Sequence, residues 1–204
     1  MNLNTTITTE IIFSRSKSSL LLDILPTTIT GVDRNDSIKM LGVTFSNNLS
    51  MSGHIAHIAD TLSSCMRSLF ALKTLKAHGM AISPLHTVFK ATVLAKILYA
   101  ALAWFGSASY EDKLFLEAFL DKSRRFCYYD NNAPAVTDLA VALDKSLFDK
   151  IVTNPTHVLF PLLPARKSSA YSLRSRPHMF SIPSKQSALY NRNFLMRMFY
   201  LRSY

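Results

Sequence analysis

His54 and His57 stand three residues apart in a stretch of helical periodicity. At that spacing two imidazoles share one face and could offer nitrogen to a divalent metal. Zinc needs three or four protein ligands, and no third is evident, so polar histidines near a helix start are the competing reading. Two-metal phosphoryl transfer needs aspartates that converge on both ions. The chain has no Asp-Asp pair, and its closest acidic neighbours, Glu111 and Asp112, open a predicted helix where their charge suits the dipole. The five glycines form no phosphate-cradling loop, dinucleotide fingerprint or nucleophile elbow. The expectation is therefore no catalytic residue, no metal, no cofactor and no small-molecule substrate.

The positive charge is more informative. The net charge is +10, and residues 61 to 110 hold Arg67, Lys73, Lys76, Lys90 and Lys96 with no Asp or Glu. After Asp149 there is again no acid, while Arg166, Lys167, Arg174, Arg176, Lys185, Arg192, Arg197 and Arg202 follow. Each cation that neutralises a phosphate releases counterions and strengthens binding, so both stretches suit a nucleic-acid backbone. A solvated surface, or a tail separated from acidic partners, would look the same. Arg124 and Arg125 close a predicted helix, where they could clamp phosphate or complement the dipole. Aromatic residues interleave with the tail's charge, and Tyr171 sits where an extended basic segment could offer a ring to a base.

The elements that must carry these groups follow from periodicity. With 204 residues at 49% hydrophobic, the chain can bury a sizeable core. Thr8 to Phe13, Leu20 to Thr30 and Ile38 to Phe45 read as strands of a small antiparallel sheet, with a polar turn at Asp33 to Asp36. From Ser50, Ile55, Ile58, Leu62, Cys65, Leu69 and Leu72 give one apolar helical face ending at Gly79. Ser83 and Pro84 start a second helix that runs, apolar on most of its circumference, to Phe105. Lys96 interrupts its apolar run, which is shorter than a membrane span, so a buried central helix is expected. Ser109 with Asp112 forms a capping-box start for a third helix, and Thr137 caps a fourth through Leu139, Leu143, Leu147, Phe148 and Ile151. Prolines make residues 155 to 186 a basic extended connector before a terminal helix with Phe194, Leu195, Met198 and Leu201 on one side. The fold expected is α+β, mainly α. Cys65 and Cys127 read as reduced core thiols, and no apolar leader opens the chain, so an intracellular protein, nuclear or cytoplasmic, is expected.

The order of several short segments resembles one family. Ile38-Lys-Met-Leu41-Gly42-Val43-Thr-Phe45, then Asn48-Leu49-Ser50-Met51 and His54-Ile55, is similar to the place in non-LTR (LINE-type) retrotransposon reverse transcriptases where the palm ends and the thumb begins. Arg67 to Lys73, Val88-Phe-Lys90 through Tyr99 to Trp104, Arg124-Arg125, and the tail from Tyr171 to Tyr204 continue the series in order. The resemblance implies a palm-end β remnant over 1–49, a helical thumb-like domain over 50–154, and a basic connector with a C-terminal helix over 155–204. It implies a primer-grip-like role for Leu41, Gly42 and Val43. Arg67, Lys73, Lys76, Lys90, Arg124, Arg125, Arg174 and Arg176 become candidates for weak, non-specific contact with an RNA or DNA backbone. The aspartates and their Mg²⁺ would lie upstream, so the chain is expected to be a truncated reverse transcriptase without polymerase activity. Alternatives are a non-enzymatic basic binding module, or an unstable fragment exposing apolar surface along the Pro84–Phe105 helix.

Overall fold

The computed structural model describes residues 4–5, 8–13, 26–79, 81–166 and 180–202. The fold is α+β and mainly α, with two sheets of two strands each among the described residues. β1 (Thr9–Glu10) pairs with β2 (Asp33–Arg34), and the pairing is parallel, not antiparallel as expected. Glu10 holds it by a 2.5 Å ion pair with Arg34, whose guanidinium also donates to the carbonyl of Pro26. The polar run read as a turn therefore supplies a strand. The expected strand from Leu20 lies outside the described residues up to 25, and 26–30 are not extended into a sheet.

The segment Ile38 to Phe45 is a hairpin, not a single strand. β3 (Ser37–Met40) and β4 (Val43–Ser46) pair antiparallel with Met40 opposite Val43, which leaves Leu41 and Gly42 as a two-residue loop. Both have positive φ, 47° and 84°, as a type I′ turn requires. Glycine adopts that backbone freely, but leucine does so under strain.

α1 (Ser52–Ala77) buries Ile55, Ile58, Leu62 and Leu69 as their spacing dictates, with Cys65 half-buried and the Leu72 side chain outside the described set. Gly79 follows it at φ 98°. The central helix is broken into pieces: α2 (Ile82–Phe89), a π-helical turn (Lys90–Leu94), α3 (Ala95–Leu98) and α4 (Ala101–Trp104). Its start lies at Ala81 and not at Ser83. Between α3 and α4 the chain turns through Tyr99 and a left-handed Ala100, φ 49°. Such breaks occur where other groups take over the freed backbone bonds. Here the indole N–H of Trp104 donates to the carbonyl of Tyr99 at 2.9 Å. By length and composition Ile82–Trp104 is apolar enough to cross a membrane, but this break interrupts it.

α5 (Tyr110–Arg125) starts with the expected capping box between Ser109 and Asp112. It ends in a Schellman arrangement: Cys127 at φ 58° donates to Arg124, and Tyr128 donates to Ser123. Cys127 is exposed there, so it is not the core thiol expected. α6 (Val136–Thr153) is not capped by Thr137. The Glu117 carboxylate on α5 accepts from the backbone N–H groups of Val136 and Thr137 and from the Thr137 hydroxyl, an anion set at a helix N-terminus. The buried face of α6 runs Val136, Ala140, Asp144, Phe148 and Ile151, leaving Leu143 exposed.

Two cores result. The first joins Val43 of the hairpin to α1 through α5 and the start of α6, around Trp104, Phe89 and Tyr129. The second packs Phe148 of α6 against Phe180 and the C-terminal helix α8 (Phe194–Leu201), which follows the short α7 (Ala188–Arg192), with Met196, Met198 and Phe199 buried. A short 3₁₀ turn, Phe160–Leu162, lies in the connector.

Candidate nucleic-acid interface

The three hairpin residues divide by environment. Val43 is buried in the first core, whereas Leu41 at the tip is 91% exposed. Gly42 lies against Tyr99: a Cβ at Gly42 would come 3.0 Å from that ring, whose hydroxyl donates to the carbonyl of Leu41 at 3.1 Å. The hairpin is therefore seated on the break in the central helix. His54 fixes it from the other side, its Nδ1 accepting the N–H of Thr44 on β4 at 3.4 Å.

His54 is not the surface histidine expected. It is 3% exposed and stands edge-on to Trp104 with ring centroids 5.3 Å apart. With Nδ1 accepting, the neutral ring carries its proton on Nε2. Burial holds its pKa below the ordinary 6.5, and the nearby charges of His57 and Lys39 push the same way. A depressed histidine pKa means the unfolded chain takes up a proton more readily, so stability is full above about 6.5 and declines as pH falls below it, levelling off below the folded-state value. Urea midpoints measured from pH 8 to 5 should fall with acid, and His54→Asn should flatten that decline. An equal decline in both proteins would refute the assignment.

Of the candidate phosphate contacts, Arg67, Lys73 and Lys90 are exposed and Lys76 is half-buried. Arg67 donates to Ser64, and the Lys73 ammonium lies 5.6 Å from the Phe126 ring. Lys96, which also belongs to the acid-free stretch, lines a cleft between α1 and the central helix together with His57. Arg125 is exposed at the end of α5. Arg124 is committed within the chain: it pairs with Asp121 at 2.5 Å, donates to the carbonyl of Ala133 at 3.0 Å and stacks over Tyr129. It ties α5 to the loop before α6. Arg174, Arg176 and Tyr171 lie outside the described residues. Among the described residues no three His, Cys, Asp or Glu side chains gather where a metal could sit.

No family model, curated protein or solved structure matches the chain. The functional reading rests on the geometry above and on the sequence series.

Several tail cations are also engaged internally. Arg197 pairs with Asp144 at 2.6 Å, Arg202 with Asp149, and the Lys185 ammonium lies 4.6 Å from the Tyr200 ring. Both carboxylates stand on α6, more than fifty residues upstream. Inspection of the tail alone could not find them. The signal was the placement of Asp144 four residues from both Ala140 and Phe148 on the buried side of α6.

Proposed function

We propose that this chain is the palm-end and thumb portion of a LINE-type reverse transcriptase that binds RNA and DNA backbones weakly and without sequence preference, and that it has no polymerase activity itself. The observation that carries the reading is Leu41. An apolar side chain stands almost fully exposed on a strained hairpin tip, where asparagine would suit the turn better. Strain kept at an exposed site points to a role in contact. The tip stands beside a helix pair whose acid-free stretch, from residue 61 onward, exposes Arg67, Lys73 and Lys90. Cations of this kind position a backbone and carry no base readout. Mg²⁺-dependent primer extension by the purified chain would overturn the inactive assignment.

A direct test substitutes Leu41→Asn. Asparagine accepts the left-handed backbone, so stability should rise by about 1 kcal/mol. Affinity for an RNA–DNA hybrid should nonetheless fall several-fold. Higher stability with unchanged binding would remove the hairpin tip from the interface.

The alternative of an unstable fragment draws on apolar surface that is spread over more than one helix. The central helix buries Leu85, Phe89, Val93, Ile97 and Trp104, and shows solvent Thr87, Lys90, Ala91, Thr92, Ala95 and Lys96. Exposed apolar side chains stand on this stretch at Ile82 and Tyr99, and on α5 at Tyr110, Leu114 and Phe115.

A further inference from the structure

The cleft between α1 and the central helix encloses about 680 Å³, within the roughly 300–1,000 Å³ typical of small-molecule sites. Its two walls run in opposite directions along the chain, so its ends differ in chemistry. At the hairpin end His54 and His57 of α1 face the turn of the central helix that holds Lys96 and Tyr99. At the far end Leu69 meets Val88. From Lys96 to Val88 the wall is about 12 Å long at ~1.5 Å per residue.

The middle offers no spare hydroxyl, because those of Thr61 and Thr92 donate to the carbonyls of His57 and Val88 on their own helices. Among the described residues no Asp or Glu lines the cleft. The hairpin end is therefore cationic, with Lys39 adding to the positive potential felt by His54. The buried Nε2 of His54 also lacks a hydrogen-bond partner. The Lys96 ammonium and two imidazoles at one end of an apolar slot define a ligand with an acidic head and an apolar body.

We propose that this cleft binds an amphipathic anion, a chain ending in a carboxylate or a phosphate ester, with its head on Lys96 and His57 and its chain lying toward Leu69 and Val88. This site is separate from the hairpin-tip contact with nucleic acid and does not depend on it.

Trp104, the one tryptophan of the chain, reports on the site through its contact with His54. The full chain would be titrated, below micelle concentrations, with dodecanoate, dodecyl phosphate, dodecanol and inorganic phosphate, following Trp104 emission and calorimetry. One saturable site per chain for dodecanoate or dodecyl phosphate is expected, with the tighter of the two identifying the head group. Dodecanol and inorganic phosphate should bind at least tenfold more weakly. Lys96→Met should cost at least tenfold, and Ala95→Phe, at an exposed cleft-lining position, should abolish binding with the melting curve unchanged. Lys145→Met on the outside of α6 should have no effect. Equal binding of dodecanol, wild-type affinity in both cleft variants, or displacement of dodecanoate by a short oligonucleotide would overturn the proposal.

Discussion

Trp104→Phe is expected to destabilise the chain by about 2–4 kcal/mol, a loss of roughly 5–15 °C in melting temperature for a protein of this size. The indole is fully buried and also donates a hydrogen bond to Tyr99. That carbonyl belongs to the helix break, where the left-handed Ala100 cannot continue the ladder. Phenylalanine would refill much of the volume and leave the acceptor without its donor. Tyr99 also carries the hairpin tip through the Leu41 carbonyl, so the disturbance should reach the proposed nucleic-acid surface. Hydrogen exchange should accordingly speed up in β3 and β4 as well as around residues 97–104. A variant with near wild-type stability would show that the break is held by the surrounding core alone.

Asp144→Ala should have the second largest effect, about 2–3 kcal/mol, discounted from the value for a fully buried pair because a quarter of the Arg197 side chain is exposed. Asp144 is 4% exposed, and its removal strands the Arg197 guanidinium over the first core's edge. Gly106 makes the pair geometrically feasible, since a Cβ there would collide with Nε and Cζ of Arg197. Asp149 and Arg202 form a second, more exposed clasp in the same direction. The two pairs dock α8 on α6 beside the Phe148–Phe199 contact. Limited proteolysis should therefore cut the Asp144→Ala protein first between residues 185 and 202, while α1 remains protected. Uniform loss of protection along the chain would mean that the second core is not a separate unit of local stability.

The long helices were legible because local rules and burial agree in them. α1 follows its three- and four-residue spacing, and the Ser109–Asp112 capping box starts α5 as its residues dictate. The misreadings share another cause: contacts distant in sequence overrode local pattern. Thr137 looks like a helix cap, but Glu117 reaches that helix end from α5. Leu143 suggested the wrong face of α6, because the buried carboxylate of Asp144 is paid for by an arginine 53 residues on. His54 reads as polar surface until β4 is folded over it. The hairpin was hidden by Leu41, a residue that type I′ turns rarely contain. Basic charge was legible as a sum, but whether each cation faced solvent or a carboxylate was not.

The central claim, that α1 and the adjoining helix hold a nucleic-acid backbone, is tested most directly by fluorescence anisotropy of a labelled RNA–DNA hybrid across a salt series. Wild type would be compared with a variant carrying glutamine at Arg67, Lys73, Lys76 and Lys90. The account predicts that log K falls steeply with log salt in the wild type, equally for unrelated sequences. In the variant the slope should be shallower by roughly one for each of these residues that touches phosphate, at unchanged melting temperature. Identical slopes in the two proteins, or wild-type affinity independent of salt, would contradict it.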